Sequence, residues 1–100
     1  MTLPPVVARL IDAANAHDLD ALTDCFAQDF VNETPAHPER NFRGRDHVRN
    51  NWAQIFRAVP NIRMDALRCA VDPEGLVWVE WDINGTFIEG APHRMRGVSI

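Results

Sequence analysis

The chain has no tyrosine and no lysine, and only two of its 100 residues are cysteine. It also has no apolar run of membrane-spanning length and no N-terminal signal peptide, so we expect a cytoplasmic protein that does not bind membranes. The isolated Cys25 and Cys69 indicate small buried side chains rather than a disulfide or a zinc site. No repeat, low-complexity segment or linker divides the sequence, which predicts a single domain over residues 1–100.

The charge balance argues against nucleic acid or an anionic membrane as the main partner. The formal net charge is −4 and the sequence pI is about 5.4. All ten basic residues are arginine, and they are scattered along the chain, as is typical of surface ion pairs. Binding of a phosphate or carboxylate group by Arg43, Arg45 and Arg49 remains an alternative.

Two helices are predicted near the N-terminus. Apolar residues recur at helical spacing over residues 6–14, and Pro4 and Pro5 are tolerated in a first turn, so a helix should end near Ala16. Asp18 is then a candidate N-cap for a second, short helix, with Asp20 in its first turn. The buried side of that helix would carry Leu19, Leu22 and Phe26.

The longest predicted helix runs from Gly44 to Pro60. Its apolar stripe has helical spacing, and Pro60 terminates it. A strand over residues 30–34 should precede it, followed by a polar loop over residues 35–43. The stripe consists of Val48, Trp52, Ile55, Phe56 and Val59.

Beyond Pro60 the period changes to that of strands, over residues 62–71, 76–87 and 92–100, with a turn over residues 72–75. Either Gly85 or Gly90 is expected to supply a bulge or bend. One face of the middle strand should carry Val77, Val79, Trp81 and Ile83, and the other Trp78, Glu80, Asp82 and Asn84. The element order, α-α-β-α-β-β-β, predicts an α+β fold with helices on one face of a curved antiparallel sheet.

Three segments carry a resemblance to a known family: NAHDLDALTDCFAQDF, FRGRDHVRNNWAQIFRAVPNI, and VEWDINGTFIEG followed by HRMRGVSI. In order and spacing they resemble the SnoaL-like branch of the nuclear transport factor 2-like superfamily, small bacterial proteins with a cystatin-like cone fold. The resemblance implies a ligand pocket between sheet and helices and, often, a homodimer built on the other face of the sheet. The family usually closes its sheet with one more strand, so we expect a domain truncated at its C-terminus with an exposed edge strand.

Steroid isomerases of this superfamily use a carboxylate base, a tyrosine and a protonated aspartic acid. By this resemblance the base position falls on Thr34, the tyrosine position on Leu10, and the second acid near Arg96 or Gly97. None of these residues matches, so that mechanism is not expected here.

Other acid/base candidates lie close to these positions. Glu33 is one residue from the base position, and strand alternation points it to the opposite face unless a bulge shifts the register. His37, in the loop after that strand, can exchange protons near neutral pH without a special environment. For both residues the alternative is an ordinary exposed side chain.

Asp82 is the third catalytic candidate, two residues from Glu80 on one strand face. Epoxide hydrolases of the superfamily use acidic residues and an arginine on such strands, but no residue role is carried over here. The alternative places both carboxylates on a dimer or solvent face. The four histidines lack metal-ligand spacing, so neither a metal nor a cofactor is predicted.

A pocket for a small apolar molecule is expected beside the long helix. By the resemblance Trp52 is a pocket-lining aromatic residue, and Phe56 lies one turn further on. Asn32 and Thr34 on the first strand would face them, with His93 at the start of the last strand.

Two functions remain open. The first is an isomerase, cyclase or hydrolase that acts on a small apolar metabolite by acid/base catalysis. The second is a binding or dimerisation module of the same fold without chemistry. The missing tyrosine favours binding, whereas His37 and Asp82 keep catalysis open.

Overall fold

The computed structural model describes residues 2–99, which contain three α-helices and five β-strands. The helices are α1 (Pro5–Asn15), α2 (Leu19–Asp24) and α3 (Arg45–Ala58). All three predicted helices are therefore confirmed, with ends within two residues of those expected. Within the described residues, no helix is both long and apolar enough to cross a bilayer.

The turn between α1 and α2 is set by local chemistry. The Asp18 carboxylate accepts a hydrogen bond from the backbone N–H of Ala21 at 3.1 Å and caps α2, as predicted. His17 has a φ of 55°, the left-handed conformation that reverses the chain after α1. The first helix begins at Pro5, where the missing N–H of proline costs no intrahelical hydrogen bond.

The main sheet is antiparallel, in the order β3-β4-β5. Its strands are β3 (Arg63–Val71), β4 (Val77–Thr86) and β5 (Pro92–Ser99). These confirm the three predicted strands and the turn between the first two. Ile100, the last residue of the predicted final strand, lies outside the described residues.

The two faces of β4 differ in burial as the alternation predicts. On the inner face, Val79 and Ile83 are only 3% and 6% exposed, whereas Trp78 on the outer face is 42% exposed. Met64 of β3 and Met95 of β5 pair with Ile83 and so lie on the inner face as well. The helices pack against this inner face, which gives the α+β layer expected from the sequence.

The expected bulge lies elsewhere than predicted. The register shifts between Ala66 and Arg68, which leaves Leu67 of β3 as the extra residue. Gly85 keeps regular pairing with His93, and Gly90 takes a φ of 98° in the loop before β5. Gly85 therefore supplies no bulge and serves close packing instead, whereas Gly90 supplies a bend in the loop before β5, which confirms one of the two alternatives.

The first strand is shorter than predicted, and the polar loop contains a second one. β1 (Val31–Asn32) pairs with β2 (Phe42–Arg43) to form a separate two-stranded sheet. The loop between them includes one 3₁₀ turn (Pro38–Arg40). Asn41 closes the loop, since its side-chain oxygen accepts a hydrogen bond from the backbone of Thr34. Strands of two residues are too short to show a periodic pattern, so the sequence did not predict this pairing.

The α1–α2 turn covers the free edge of β3. The Asn15 side chain donates to the backbone oxygen of Met64 at 3.0 Å and accepts from its N–H at 2.8 Å. His17 lies 3.1 Å from the backbone oxygen of Ile62, and because a carbonyl only accepts, Nε2 is the ring nitrogen that carries the proton. These contacts replace the strand that would otherwise pair with β3.

The core lies between this turn, α3 and the inner face of the sheet. Leu22 is fully buried and Val48 and Val59 are 2% exposed. The buried cluster consists of Ala13, Ala14, Leu22, Val48, Val59, Ile62, Met64 and Ile83.

Candidate functional site

An open cleft of about 250 Å³ lies between the first turns of α1, the segment after α2 and the start of β4. We call it the apolar cleft. Phe26 and Phe30 form one wall, with ring centroids 4.9 Å apart in an edge-to-face arrangement. Its lining residues are Val6, Val7, Leu10, Cys25, Phe26, Ala27, Phe30, Val77, Val79 and Trp81.

The lining is almost entirely hydrocarbon. Of the side chains that the structure places along this cleft, none carries a carboxylate, an imidazole or a guanidinium. The one group with acid/base chemistry is the thiol of Cys25, whose sulfur lies 3.4 Å from the backbone oxygen of Ala21. Such a surface favours an apolar ligand, and it supplies little for proton transfer.

The aromatic wall is held by the start of α3. The guanidinium of Arg45 donates from Nε and Nη2 to the backbone oxygen of Phe26, at 2.9 and 2.7 Å. The backbone N–H of Gly44 donates to the oxygen of Phe30 at 2.7 Å. Because these bonds fix both ends of the segment from Phe26 to Phe30, the cleft is shaped before any ligand arrives.

The arginines considered for anion binding have other partners. Arg45 donates hydrogen bonds to the backbone oxygen of Phe26, and Arg49 forms an ion pair with Asp20 of α2. Arg43 lies on β2, opposite Val31. Arg49 therefore joins α3 to α2, and Arg45 joins α3 to the segment after α2.

The predicted catalytic residues lie outside the apolar cleft and apart from one another. Glu33 is exposed at the start of the β1–β2 loop, and His37 in the same loop contacts Glu39 at 3.2 Å. Asp82 lies on the outer face of the sheet, where Arg94 approaches it to 3.3 Å. Whether any of them takes part in catalysis stays a prediction.

The predicted pocket residues fall into three groups. Asn32 donates from its side chain to the hydroxyl of Thr34 at 3.2 Å. Trp52 and Phe56 pack together against the core, with centroids 5.7 Å apart. His93 contacts the ring of Phe87 at 5.1 Å between centroids.

His93 also has one unexplained polar atom. Its Nδ1 is buried, and no hydrogen-bond partner for it lies among the described residues. None of the five predicted pocket residues lines the apolar cleft, so their role as a ligand site stays a prediction.

The sequence pattern did not mark several of the cleft residues as site residues. Phe26 was assigned to the buried side of α2, and Trp81 to the inner face of β4. Cys25 was interpreted as a small buried side chain. An apolar residue on an inner face gives the same sequence pattern whether it packs in the core or lines a cleft. Only Trp81, a large aromatic residue beside small ones, could have suggested a site.

Comparison with known proteins identifies related domains. A family model described as SnoaL-like domain matches residues 7–100. No curated protein matches the chain.

Three similar solved structures illustrate the fold. An NTF2-like protein of unknown function from Exiguobacterium sp. 255-15 is 17% identical, with a TM-score of 0.76 over 93% of this chain and 81% of that one. A Sinorhizobium meliloti protein assigned as a polyketide cyclase is 26% identical, with a TM-score of 0.72 over 96% and 83% of the two chains. A Mycobacterium tuberculosis protein in complex with estradiol-17beta-hemisuccinate is 15% identical, with a TM-score of 0.76 over 93% and 76%. These similarities confirm the nuclear transport factor 2-like cone fold.

Proposed function

Because the chain belongs to the SnoaL-like domain family, we propose that it binds a small, flat, apolar molecule in the apolar cleft. The observation that carries this proposal is the lining, which offers hydrocarbon and aromatic surface from three separate parts of the chain. A ligand there would contact Phe26 and Phe30 on one side and Trp81 on the other.

The size of the cleft limits the ligand. Its volume of about 250 Å³ lies just below the range of roughly 300–1,000 Å³ that is usual for drug-sized molecules, which favours one or two fused rings. A ligand that buries about 200 Å² of apolar surface would gain roughly 5 kcal/mol before the cost of association. We therefore expect weak binding, with dissociation constants no tighter than roughly 0.2 mM.

A structural neighbour forms a complex with a larger molecule of flat, mostly apolar shape. The Mycobacterium tuberculosis protein was crystallised with estradiol-17beta-hemisuccinate, a flat polycyclic molecule. At 15% identity this likeness concerns the fold alone, so the ligand proposed for this chain rests on its own cleft.

Binding without turnover fits the lining better than catalysis. An isomerase, cyclase or hydrolase needs a proton-transfer group within hydrogen-bond reach of the substrate. Glu33, His37 and Asp82 would serve only a substrate bound elsewhere.

Binding is tested with the uncharged probe N-phenyl-1-naphthylamine, whose fluorescence rises in apolar surroundings. We expect a saturable signal that Val6→Asp weakens at least ten-fold, because a carboxylate in the cleft must be desolvated by the ligand. Val31→Asp is the matched control, since Val6 and Val31 are 40% and 42% exposed and only Val6 lines the cleft. Equal weakening by both substitutions, or no saturable signal, would contradict the proposal.

We also propose a homodimer formed through the outer face of the sheet. The support for this proposal is Trp78 and Val98, two apolar residues on this face that are 42% and 65% exposed. Sedimentation equilibrium should show a dimer that Trp78→Glu dissociates. Ile88→Glu, at a residue 76% exposed in the loop before β5, should leave it intact.

A further inference from the structure

A second cavity adjoins the apolar cleft. It is an open groove of about 650 Å³ between α1 and α2, and we call it the polar groove. Cys25, directly after α2, lines both cavities, so the apolar cleft and the polar groove meet at this side chain. The residues that line the polar groove are Arg9, Asp12, Ala13, Ala16, Asp18, Ala21, Asp24 and Cys25.

Both cavities follow the same side of α1. Val6 lines the apolar cleft, and three residues at helical spacing beyond it line the polar groove: Arg9, Ala13 and Ala16. At a rise of 1.5 Å per residue, the row from Val6 to Ala16 is about 15 Å long. The small side chains of the two alanines leave room above the helix. One ligand can therefore lie along α1 with an end in each cavity.

The polar groove carries more negative than positive charge. Three carboxylates, of Asp12, Asp18 and Asp24, and the single guanidinium of Arg9 give its lining a net charge of −2. Asp18 accepts the capping hydrogen bond from Ala21. Within the described part of the chain, the exposed side chains of Arg9, Asp12 and Asp24 form no ion pair or hydrogen bond. These charges are available to a ligand, and their balance favours a cation.

The junction of the two cavities brings charge close to the apolar lining. Asp24 directly precedes Cys25, so a carboxylate lies one residue from the side chain that both cavities share. A short alkyl linker would carry an ammonium group from a ring in the apolar cleft into the polar groove. A carboxylate carried on the same linker would have only Arg9 as a partner and would be repelled by the three aspartates.

We propose that the ligand of the apolar cleft is an arylalkyl amine, with its ring in the cleft and its ammonium group in the polar groove beside Asp24 and Asp12. This inference rests on the binding function proposed above and adds the charge of the ligand to it. Alkyl amines are protonated at neutral pH. Burial of the ring provides most of the affinity, whereas the ammonium group provides selectivity, since ion pairs at exposed positions are weak.

The charge preference is tested with three compounds that share a ring and differ in the end group: naphthylethylamine, naphthylethanol and naphthylacetate. Their affinities are measured by displacement of N-phenyl-1-naphthylamine from the wild type. The amine should bind about three- to five-fold more tightly than the alcohol, by a margin that added salt reduces, and the acetate should bind more weakly than the alcohol.

The outcomes separate this proposal from the proposed function. An amine that binds no more tightly than the alcohol would overturn the charge preference and leave the apolar cleft as a binding site. Failure of all three compounds to displace a bound probe would overturn it as well. If the probe itself does not bind, the proposed function fails, and the charge preference fails with it.

Two variants locate the ammonium group. Asp24→Asn, at an exposed side chain in the last position of α2, should lower the affinity for the amine to that for the alcohol and leave the alcohol unaffected. Glu89→Gln is the control, because it also removes one negative charge but lies in the loop before β5, at the far end of β4 from the cleft. Equal weakening by both variants would reduce the effect to overall net charge and overturn the proposal.

Arg9→Gln should have the opposite effect. Removal of the one cation in the polar groove should strengthen amine binding by about two-fold and weaken naphthylacetate binding, since each exposed charge contributes modestly. Weaker amine binding in Arg9→Gln would contradict an ammonium group in this groove.

Discussion

The side-chain amide of Asn15 pairs with both backbone polar groups of Met64, as a neighbouring strand would. The two residues are 49 positions apart in the sequence. This contact joins the end of α1 to the edge of β3, and it satisfies an N–H and a C=O that the sheet leaves unpaired. It therefore determines where the first helix lies on the inner face, and with it one wall of the apolar cleft.

Asn15→Ala should destabilise the fold by about 2 kcal/mol, because two partly buried hydrogen bonds are lost and the backbone groups of Met64 remain without partners. Urea unfolding followed by circular dichroism measures this. Asn50→Ala on the exposed side of α3 is the control and should change stability by less than about 0.5 kcal/mol. A loss no larger than that of the control would show that the Asn15 pairing contributes little.

Gly85→Ala should destabilise by about 1–3 kcal/mol, since an added Cβ would lie 2.5 Å from Cγ1 of Val59, a buried side chain. Gly97→Ala, where nothing lies within 4 Å of the added carbon, should be nearly neutral. Thermal unfolding of both variants tests this. In the double variant with Val59→Ala, the cost of Gly85→Ala should shrink, and simple additivity would exclude this clash as the cause.

Asp72 should contribute to stability in a pH-dependent way. A hydrogen bond from the backbone N–H of Leu76, supported by Trp78 Nε1 and the N–H groups of Glu74 and Gly75, lowers the pKa of Asp72 below its ordinary value. A lowered folded-state pKa gives stability that is present above the unfolded pKa and lost as pH falls through the folded value. The Tm of the wild type should therefore exceed that of Asp72→Ala by the largest amount near pH 7, and this difference should decrease below about pH 4.

Asp72→Asn is the control for this charge effect. An asparagine side chain keeps an acceptor oxygen for the Leu76 N–H, at 2.9 Å in the wild type, but it does not titrate. Its Tm difference from Asp72→Ala should stay constant with pH. A Tm difference between wild type and Asp72→Ala that grows on acidification would contradict the sign of the pKa change.

Arg45→Lys should weaken N-phenyl-1-naphthylamine binding several-fold and lower stability by about 1–2 kcal/mol. Lysine cannot reproduce the two donors that Arg45 directs at the backbone oxygen of Phe26, so the aromatic wall loses its support. Arg43→Lys, on an exposed side chain, is the control and should bind the probe as the wild type does. Probe titration and urea unfolding are both needed. Unchanged probe affinity in Arg45→Lys would mean that the wall holds its shape without this contact.

Local sequence patterns predicted much of the fold. Asp18 caps α2 through a contact only three residues away, so the residue type and its position were sufficient. The alternation in β4 likewise separated Val79 and Ile83 from Trp78, because successive strand residues point to opposite faces. Each of these features depends on neighbours in the chain.

The candidate site was harder to predict. The apolar cleft joins Leu10, Phe30 and Trp81, which the sequence separates by up to 71 positions. Periodicity assigns each of them to an inner face, but it cannot distinguish an inner-face residue that packs from one that lines a cleft. Titratable side chains such as His37 can be named as catalytic candidates from their residue type alone. An apolar cleft residue cannot, because its residue type is also that of a core residue.

By itself, the sequence determined the three helices, the three long strands, the cap of α2 and the buried faces of these elements, since these follow from backbone and side-chain preferences over a few residues. Only the tertiary structure decided that Asn15 would cover the β3 edge and that Gly85 would meet Val59. These outcomes depend on how separate elements pack, because the free energy of each contact exists only once distant segments are brought together.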